Sequence, residues 1–302
     1  MNELAKPLSS PDASSALAAA RSFLFVPANR PERFSKALAS GADAVIIDLE
    51  DAVAPSDKTA ARAHLADAFR QFTRPERVRL LVRMNASSTA WHNDDLKLLE
   101  QLGAQGLVGL MLPKAETAAD LQRVAHAAGP ACALLPLVES VAGLDAVDVL
   151  ATAPQVLRLA FGNIDFQADA GLACGPDEEE LQPVRLALVL AARRASCFAP
   201  VDGVTLGTQE SRQLQADAAR SRRGGFGGKL CIHPAQVAVV NAAFAPSAAE
   251  LAWAQRVMTA FKANGGGVFS LDGRMVDAPV VRLAQRTLAH SRVAADGEGA
   301  SA

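Results

Sequence analysis

The stretch ADAVIIDLEDAV, residues 42–53, carries an apolar run directly into three carboxylates, Asp48, Glu50 and Asp51. A continuous run of apolar and β-branched residues is typical of a strand that is covered on both faces. If this strand ends at Leu49, Glu50 and Asp51 emerge together in the loop that follows it. Acids at this point could help to bind a cation, or they could only cap the next helix.

Polar side chains follow other apolar runs of the chain in the same way. In a barrel of parallel strands all the carboxyl ends meet at one rim, so these groups are expected to converge there. Carboxylates this close raise each other's pKa unless a positive charge lies among them. A set of oxygen ligands without clustered His or Cys favours magnesium, or manganese, over zinc. The side chains concerned are Arg83, Lys114, Glu116, Glu139 and Asp165.

Three of the rim residues have more than one interpretation. A guanidinium at the end of a buried strand needs an anionic partner. For Arg83 that partner could be Glu50 or Asp51 as a structural pair, or a substrate carboxylate bound bidentately. Asp165 could instead cap the helix that follows it. His233, in CIHP, could be a catalytic base or a hydrogen-bonded structural histidine.

The order of elements predicts an α/β fold, a (β/α)₈ TIM barrel with a C-terminal helical extension. Eight apolar runs alternate with Ala-rich amphipathic stretches, as such a barrel requires. An open doubly wound sheet is the alternative, but no G-x-G-x-x-G follows the first run. We expect a flexible tail over residues 1–20, the barrel over 21–245 and a helical arm over 246–302, which could bridge to a neighbouring subunit. The runs are SFLFVPA, AVIIDLE, VRLLVRMN, GLVGLMLP, ALLPLVES, VLRLAFG, PVDGVTLG and GKLCIHP.

Composition excludes several classes of protein. The chain has 302 residues, of which 50% are apolar, and a formal net charge of -2, so it lacks the basic field of a nucleic-acid binder. No apolar run reaches the roughly 18 residues that a membrane span needs, and the first twenty residues lack the apolar centre of a signal peptide. The four cysteines have no metal-site or redox spacing. We therefore expect a cytoplasmic protein that binds neither nucleic acid nor membranes.

Seven motifs across residues 21–292 together resemble the HpcH/HpaI aldolase/citrate lyase family, and within it the citrate lyase β-subunit-like relatives of malyl-CoA and citramalyl-CoA lyases. The resemblance implies a (β/α)₈ barrel that forms a homotrimer or a hexamer. It also implies a Mg²⁺-dependent carbon–carbon lyase that reversibly cleaves a 3-hydroxyacyl-CoA dicarboxylate thioester to a keto acid and an acyl-CoA. The motifs are RSFLFVPANRPERFSKALASGADAVIIDLEDAV, VRMN, MLPKAE, LVES, FGNIDF, DGVTLG and GFGGKLCIHPAQVAVVNAAFAPSAAE.

The resemblance also implies roles for individual residues. Glu139 and Asp165 match the glutamate and the aspartate that bind magnesium, and Glu139 also lies at the substrate. Arg83 matches the arginine that grips the substrate carboxylate. Glu50 and Asp51 match a pair that holds metal-bound waters.

Two further residues complete the predicted site. In GRMVDAP, Asp277 matches an aspartate that crosses to a neighbouring subunit, and it is the expected acid–base group. Arg30, before Pro31 at the start of the first helix, is the expected phosphate contact of CoA, although it could be only a helix-terminal charge. FGNIDF has Asn163-Ile164 where the family commonly has Ala-Glu or Val-Glu.

Three alternative functions fit the same motifs. One is a pyruvate-type aldolase that uses no thioester. Another is the β subunit of a citrate lyase complex, which acts on an acyl-carrier-protein thioester. The last is a catalytically silent protein that binds a keto acid as a scaffold or sensor.

Overall fold

Eight parallel strands form a closed barrel in chain order, in a computed structural model that describes residues 11–208 and 212–298. Each predicted run contains one strand, so the predicted barrel is confirmed. The strands are shorter than the runs, because the residues at the carboxyl ends turn into the loops, and β6 and β7 have two residues each. The strands are β1 (Ser22–Pro27), β2 (Ala44–Asp48), β3 (Leu80–Arg83), β4 (Gly109–Leu112), β5 (Ala133–Val138), β6 (Ala160–Phe161), β7 (Val201–Asp202) and β8 (Gly228–Cys231).

Helices follow the strands and cover them with apolar stripes. In α3, for example, Ala61, Leu65 and Phe69 recur at helical spacing and are fully buried. One short helix, α9, is an addition between β6 and the covering helix α10. The helices of this part of the chain are α1 (Pro11–Ala19), α2 (Phe34–Leu38), α3 (Lys58–Gln71), α4 (Arg74–Arg77), α5 (His92–Ala104), α6 (Ala118–Ala128), α7 (Val141–Asp145), α8 (Val147–Thr152), α9 (Asn163–Ala170), α10 (Gln182–Arg194), α11 (Arg212–Arg223) and α12 (Val237–Phe244).

The inside of the barrel is a packed apolar core and not a pore. Alternate residues of the strands point inward, so Phe23 of β1 pairs with Ala44 of β2, and Ile46 pairs with Leu81 of β3. Each large side chain buried in this way contributes about 1.5–3 kcal/mol relative to an exposed one. The fully buried members of the core include Leu17, Phe23, Ile46, Leu81, Met111 and Leu135.

The expected flexible tail is wrong for the described part of residues 1–20. Residues 1–10 lie outside the described residues, but α1 is helical and Leu17 is fully buried in the barrel core. A Cβ atom at Gly109, the first residue of β4, would lie 2.8 Å from Leu17 Cδ1. Leu17 therefore closes the amino end of the barrel. The single large apolar residue in SSALAAA gave no periodic pattern from which this could be predicted.

A buried arginine holds the end of α1 in place. Arg158, just before β6, is 1% exposed and donates from Nη1 to the carbonyl oxygens of Leu17 at 3.2 Å and Ala20 at 2.6 Å. Its Nε donates to Ala199 O at 2.7 Å. Burial lowers the pKa of Arg158 to about 9. The carbonyl groups at the end of a helix carry partial negative charge, so they are suitable partners for a cation.

The chain divides into two compact units, residues 1–241 and 242–302. The second unit contains α13 (Ala248–Ala263), the antiparallel hairpin of β9 (Phe269–Leu271) and β10 (Arg274–Val276), and α14 (Ala278–Glu298). The hairpin turns at Asp272 and Gly273, which have φ angles of +52° and +74°. An Asp-Gly pair is typical of this left-handed turn. This unit has its own small apolar core, formed by Ala254, Val257, Val276, Val281 and Ala284.

One stretch, residues 234–263, is long and apolar enough to cross a membrane by length and composition alone. It is not one helix, because α12 ends at Phe244 and α13 begins at Ala248. Ser247 starts α13 with a capping box in which Glu250 N donates to Ser247 Oγ at 3.2 Å and Ser247 N donates to Glu250 at 2.7 Å. A capping box marks a helix start, so this stretch is weak support for a membrane span.

The packing of α1 predicts that Leu17→Ala destabilises the protein by about 2–5 kcal/mol, because it opens a cavity at the end of the core. Urea unfolding followed by circular dichroism measures the change. Ser15→Ala is the matched control, since Ser15 lies on the exposed side of α1. Equal stability of the two variants would show that α1 does not pack into the barrel.

Candidate active site

A buried carboxylate that the sequence analysis left without a role lies at the end of β2. Asp48 accepts hydrogen bonds from Arg83 Nε to Oδ1 at 2.7 Å and from Arg83 Nη2 to Oδ2 at 2.6 Å. The backbone N–H groups of Glu50 and Ala52 also donate to Asp48, at 2.9 and 3.1 Å. Asp48 is thus the bidentate partner of Arg83, and the expected partners Glu50 and Asp51 form ion pairs only with its third nitrogen, Nη1. Such forked pairs are the strongest charged hydrogen bonds in proteins.

Glu50 lies beside the third nitrogen of the same guanidinium. Arg83 Nη1 is 2.8 Å from Glu50 Oε2, but the two groups are not aligned as a hydrogen bond, and Oε2 accepts none from the described residues. Burial raises the pKa of Glu50 to about 8, with a smaller contribution from Glu139, while Arg83 opposes the shift. Asp51 lies farther out, 3.7 Å from Arg83 Nη1 and with 62% of its side chain exposed. Of the predicted pair, only Glu50 is buried.

Lys58, the first residue of α3, fixes the loop that carries these acids. Its Nζ donates to the carbonyl oxygens of Leu49 and Glu50, both at 2.7 Å, and lies 5.0 Å from the centre of the Trp91 ring. Burial lowers the pKa of Lys58, and the charge of Asp48 opposes this shift. The partners of Lys58 are backbone carbonyls, which no side-chain motif marks, so the sequence analysis missed it.

Glu139 follows β5 and is 3% exposed. Its Oε1 accepts a hydrogen bond from Lys114 N at 2.8 Å, and Lys114 has a φ of +46°, which a non-glycine residue rarely adopts. A Cβ atom at Gly162 would lie 2.5 Å from Glu139 Oε2, so only glycine fits beside this carboxylate. Burial, followed by the charge of Asp165, raises the pKa of Glu139 to about 7.

The donor set suits the predicted magnesium ion. Asp165 lies in the first turn of α9, half-buried, and its charge acts on Glu139, so the two carboxylates share one electrostatic environment. Among the described residues, no group of three or more His, Cys, Asp and Glu side chains forms a metal site. Magnesium binds through one or two carboxylates and keeps several waters, whereas zinc takes three or four protein ligands. A pair of carboxylates therefore fits magnesium better than zinc.

Three other predicted residues have local partners. Asp277 accepts a hydrogen bond from Val280 N at 3.3 Å and so caps α14 within its own unit. Arg30 is exposed and pairs with Glu32 at 2.5 Å, and the expected helix after it begins as a 3₁₀ turn. His233 is exposed and its Nδ1 accepts from the backbone N–H two residues on, at 3.2 Å, so it acts as a cap. The roles of Asp277 and Arg30 in catalysis and phosphate binding stay predictions.

Two models of known protein families match this chain. Residues 21–234 match the model of the HpcH/HpaI aldolase/citrate lyase family, and residues 189–295 match that of the C–C bond lyases of the TIM-barrel fold. The chain belongs to the HpcH/HpaI aldolase/citrate lyase family. The first match spans all eight strands of the barrel.

Two similar proteins are named for malyl-CoA, and one similar structure contains coenzyme A. A (3S)-malyl-CoA thioesterase of Cereibacter sphaeroides is 35% identical, over 91% of this chain and 95% of its own length. An L-malyl-CoA/β-methylmalyl-CoA lyase of Rhodobacter capsulatus is 33% identical, over 87% of this chain and 91% of its own length. The crystal structure of CitE from Mycobacterium tuberculosis in complex with magnesium, acetoacetate and coenzyme A is 37% identical, with a TM-score of 0.78 over 91% of this chain and 99% of that one.

The buried pair at the end of β2 predicts that Asp48→Asn destabilises the protein by about 3–5 kcal/mol, because it leaves the Arg83 charge buried without its counter-ion. Urea unfolding of the metal-free protein measures the loss. Asp51→Asn is the matched control and should cost less than about 1 kcal/mol, since exposed ion pairs contribute little. A loss for Asp51→Asn as large as that for Asp48→Asn would contradict the assignment.

Proposed function

We propose that the chain is a Mg²⁺-dependent carbon–carbon lyase that reversibly cleaves a 3-hydroxyacyl-CoA dicarboxylate thioester of the malyl-CoA, citramalyl-CoA or citryl-CoA type. The products are a keto acid and acetyl-CoA or a similar acyl-CoA. The observation that carries the proposal is the pairing of Glu139 with Asp165 at the carboxyl end of the barrel, in a family of lyases. The magnesium, acetoacetate and coenzyme A of the similar CitE structure support the same ligand classes.

Glu139 and Asp165 would hold the magnesium ion. When bound, the ion supplies a Lewis acid that stabilises negative charge on a substrate oxygen. Two features of the structure support these roles. Lys114 N fixes one oxygen of Glu139, and α9 carries Asp165.

Arg83 would contact the substrate carboxylate through one nitrogen and not through a fork. Asp48 already engages Nε and Nη2, so Nη1 is the donor that faces the rim. Glu50 shares that nitrogen, but with a pKa of about 8 it is mostly protonated at neutral pH. A neutral Glu50 leaves the Nη1 charge available to an anionic substrate, and Arg83 then orients the bond to be broken.

Asp277 is the proposed acid–base group that exchanges a proton with the acyl-CoA carbon. A carboxylate in this role needs burial that raises its pKa toward the working pH. Within one chain Asp277 is only half-buried, so we propose a homotrimer or hexamer in which the C-terminal arm covers the rim of a neighbouring barrel. Arg30 is the proposed contact of a CoA phosphate. Free cysteines accord with a cytoplasmic location.

The similar malyl-CoA thioesterase favours one second candidate function. The same rim could direct water at the thioester carbonyl of malyl-CoA, which would release malate and free CoA. Carbon–carbon cleavage of the same compound gives glyoxylate and acetyl-CoA. The two functions therefore differ in whether a free thiol appears.

The deciding experiment incubates the full-length protein and Mg²⁺ with malyl-CoA, citramalyl-CoA and citryl-CoA, and measures keto acid and free thiol separately. We expect keto acid without thiol, and a loss of about 100-fold or more in Glu139→Gln because a metal ligand is removed. Glu100→Gln, on the exposed face of α5, is the matched control. Thiol release without keto acid would establish the thioesterase instead, and full activity in Glu139→Gln would refute the ligand assignment.

The raised pKa of Glu139 predicts that magnesium binds more weakly in acid. Glu139 must lose its proton to bind the metal, and its pKa is about 7, so affinity should fall about tenfold between pH 8 and pH 6. Isothermal titration calorimetry with MgCl₂ at both values measures this change. Equal affinity at pH 6 and pH 8 would show that Glu139 is not the titrating ligand.

A further inference from the structure

Asn163 is the first residue of α9 and lies two residues before Asp165. It is 1% exposed, and its side-chain amide pairs with the backbone of Val204 in both directions. Asn163 Oδ1 accepts from Val204 N at 2.9 Å, and Nδ2 donates to Val204 O at 3.1 Å. A Cβ atom at Gly203 would lie 2.1 Å from Asn163 Oδ1, so only glycine admits the amide at this position. The start of α9 is therefore tied to the loop after β7.

The same amide binds a second, charged partner. Asn163 Nδ2 donates to Glu178 Oε1 at 2.8 Å, across the loop between α9 and α10. The other oxygen of Glu178 accepts from Arg185 and, at 3.2 Å, from Arg220. Arg185 in turn donates to the buried Asp202 at the end of β7, at 3.0 Å.

The backbone of Glu178 is strained, which indicates that its side-chain contacts hold it in this conformation. Glu178 has a φ of +47°, in the left-handed region that disfavours a side chain. Such a conformation persists only where its surroundings impose it. Two arginines and Asn163 all engage its carboxylate, so the side-chain contacts impose it here.

Electrostatic repulsion between Asp165 and Glu139 opposes the position of Asp165 on α9. Asp165 lies two residues after Asn163, and its charge repels that of Glu139 whenever the metal is absent. Repulsion pushes the two carboxylates apart, so contacts elsewhere on α9 must hold Asp165 near Glu139. The amide of Asn163 is the buried anchor nearest to it in the chain.

We propose that Asn163 and Glu178 are positioning residues that hold Asp165 at the distance from Glu139 that magnesium requires. This inference rests on the proposed metal pair. It assigns a role to an ionic cluster that the proposed reaction itself does not use. Neither side chain is one of the proposed metal ligands. Their effect is on the metal affinity of the folded protein.

Titration of the full-length protein with MgCl₂ by isothermal calorimetry tests the proposal. Asn163→Ala and Glu178→Ala should each bind Mg²⁺ about tenfold more weakly, as is typical when an outer partner of a ligand is lost. Their double mutant should lose less affinity than the two single losses combined, because the two residues share one contact. Glu178→Gln keeps an acceptor for Asn163 and should recover part of the affinity. Glu179→Ala, at an exposed residue next to Glu178, is the control and should stay within about twofold.

Folding is checked separately by thermal unfolding. Gly203→Ala provides an independent variant, because it displaces the amide while leaving Asn163 and Glu178 chemically intact, and it should also weaken Mg²⁺ binding. Affinities of Glu178→Ala and Gly203→Ala equal to that of the unmodified protein would overturn the positioning role, provided that Asp165→Ala abolishes binding. Unchanged binding in Asp165→Ala would instead overturn the metal pair itself, and the inference with it.

Discussion

Repulsion among buried carboxylates is the constraint on which the rim of this barrel depends. Asp48 and Glu50 come from the end of β2, Glu139 follows β5, and the half-buried Asp165 lies at the start of α9. Burial removes water that would otherwise screen their charges. The raised pKa values of Glu50 and Glu139 express that cost. Arg83 offsets part of it by a forked pair with Asp48. A divalent cation would offset more, and this is why the same rim is suited to bind one.

Hydrogen bonds that involve the main chain hold several groups of the rim in place. Lys58 fixes the carbonyl groups after β2, Lys114 N holds Glu139, and the Asn163 amide pairs with the main chain after β7. Lys114 N and the Asn163 amide are neutral donors, so they hold their partners without adding a formal charge, whereas Lys58 is a cation. The two glycines against Glu139 and Asn163 serve the same end, because they let side chains approach the main chain closely.

The sequence was sufficient to predict the eight strands and the rim at their carboxyl ends. Glu139, Asp165 and Arg83 could be found because each comes directly after, or at the end of, an apolar run. The forked partner of Arg83 could not be predicted. Asp48 is the last residue of a strand, and its neighbours Glu50 and Asp51 look equally suitable in the sequence. The contact between Asn163 and Glu178 depends on loop geometry, and the burial of Leu17 depends on where α1 packs. Neither leaves a periodic pattern in the sequence.

The ion pairs of Arg83 limit which of its nitrogens a substrate can contact. Arg83 is committed to Asp48 before any ligand arrives, so it can offer a substrate only the nitrogen beside Glu50. Glu50 is neutral over much of the physiological range, and it becomes a competitor of the substrate only when it loses its proton. A protonated Glu50 leaves that nitrogen without a competing anion, which is the state that an anionic substrate needs.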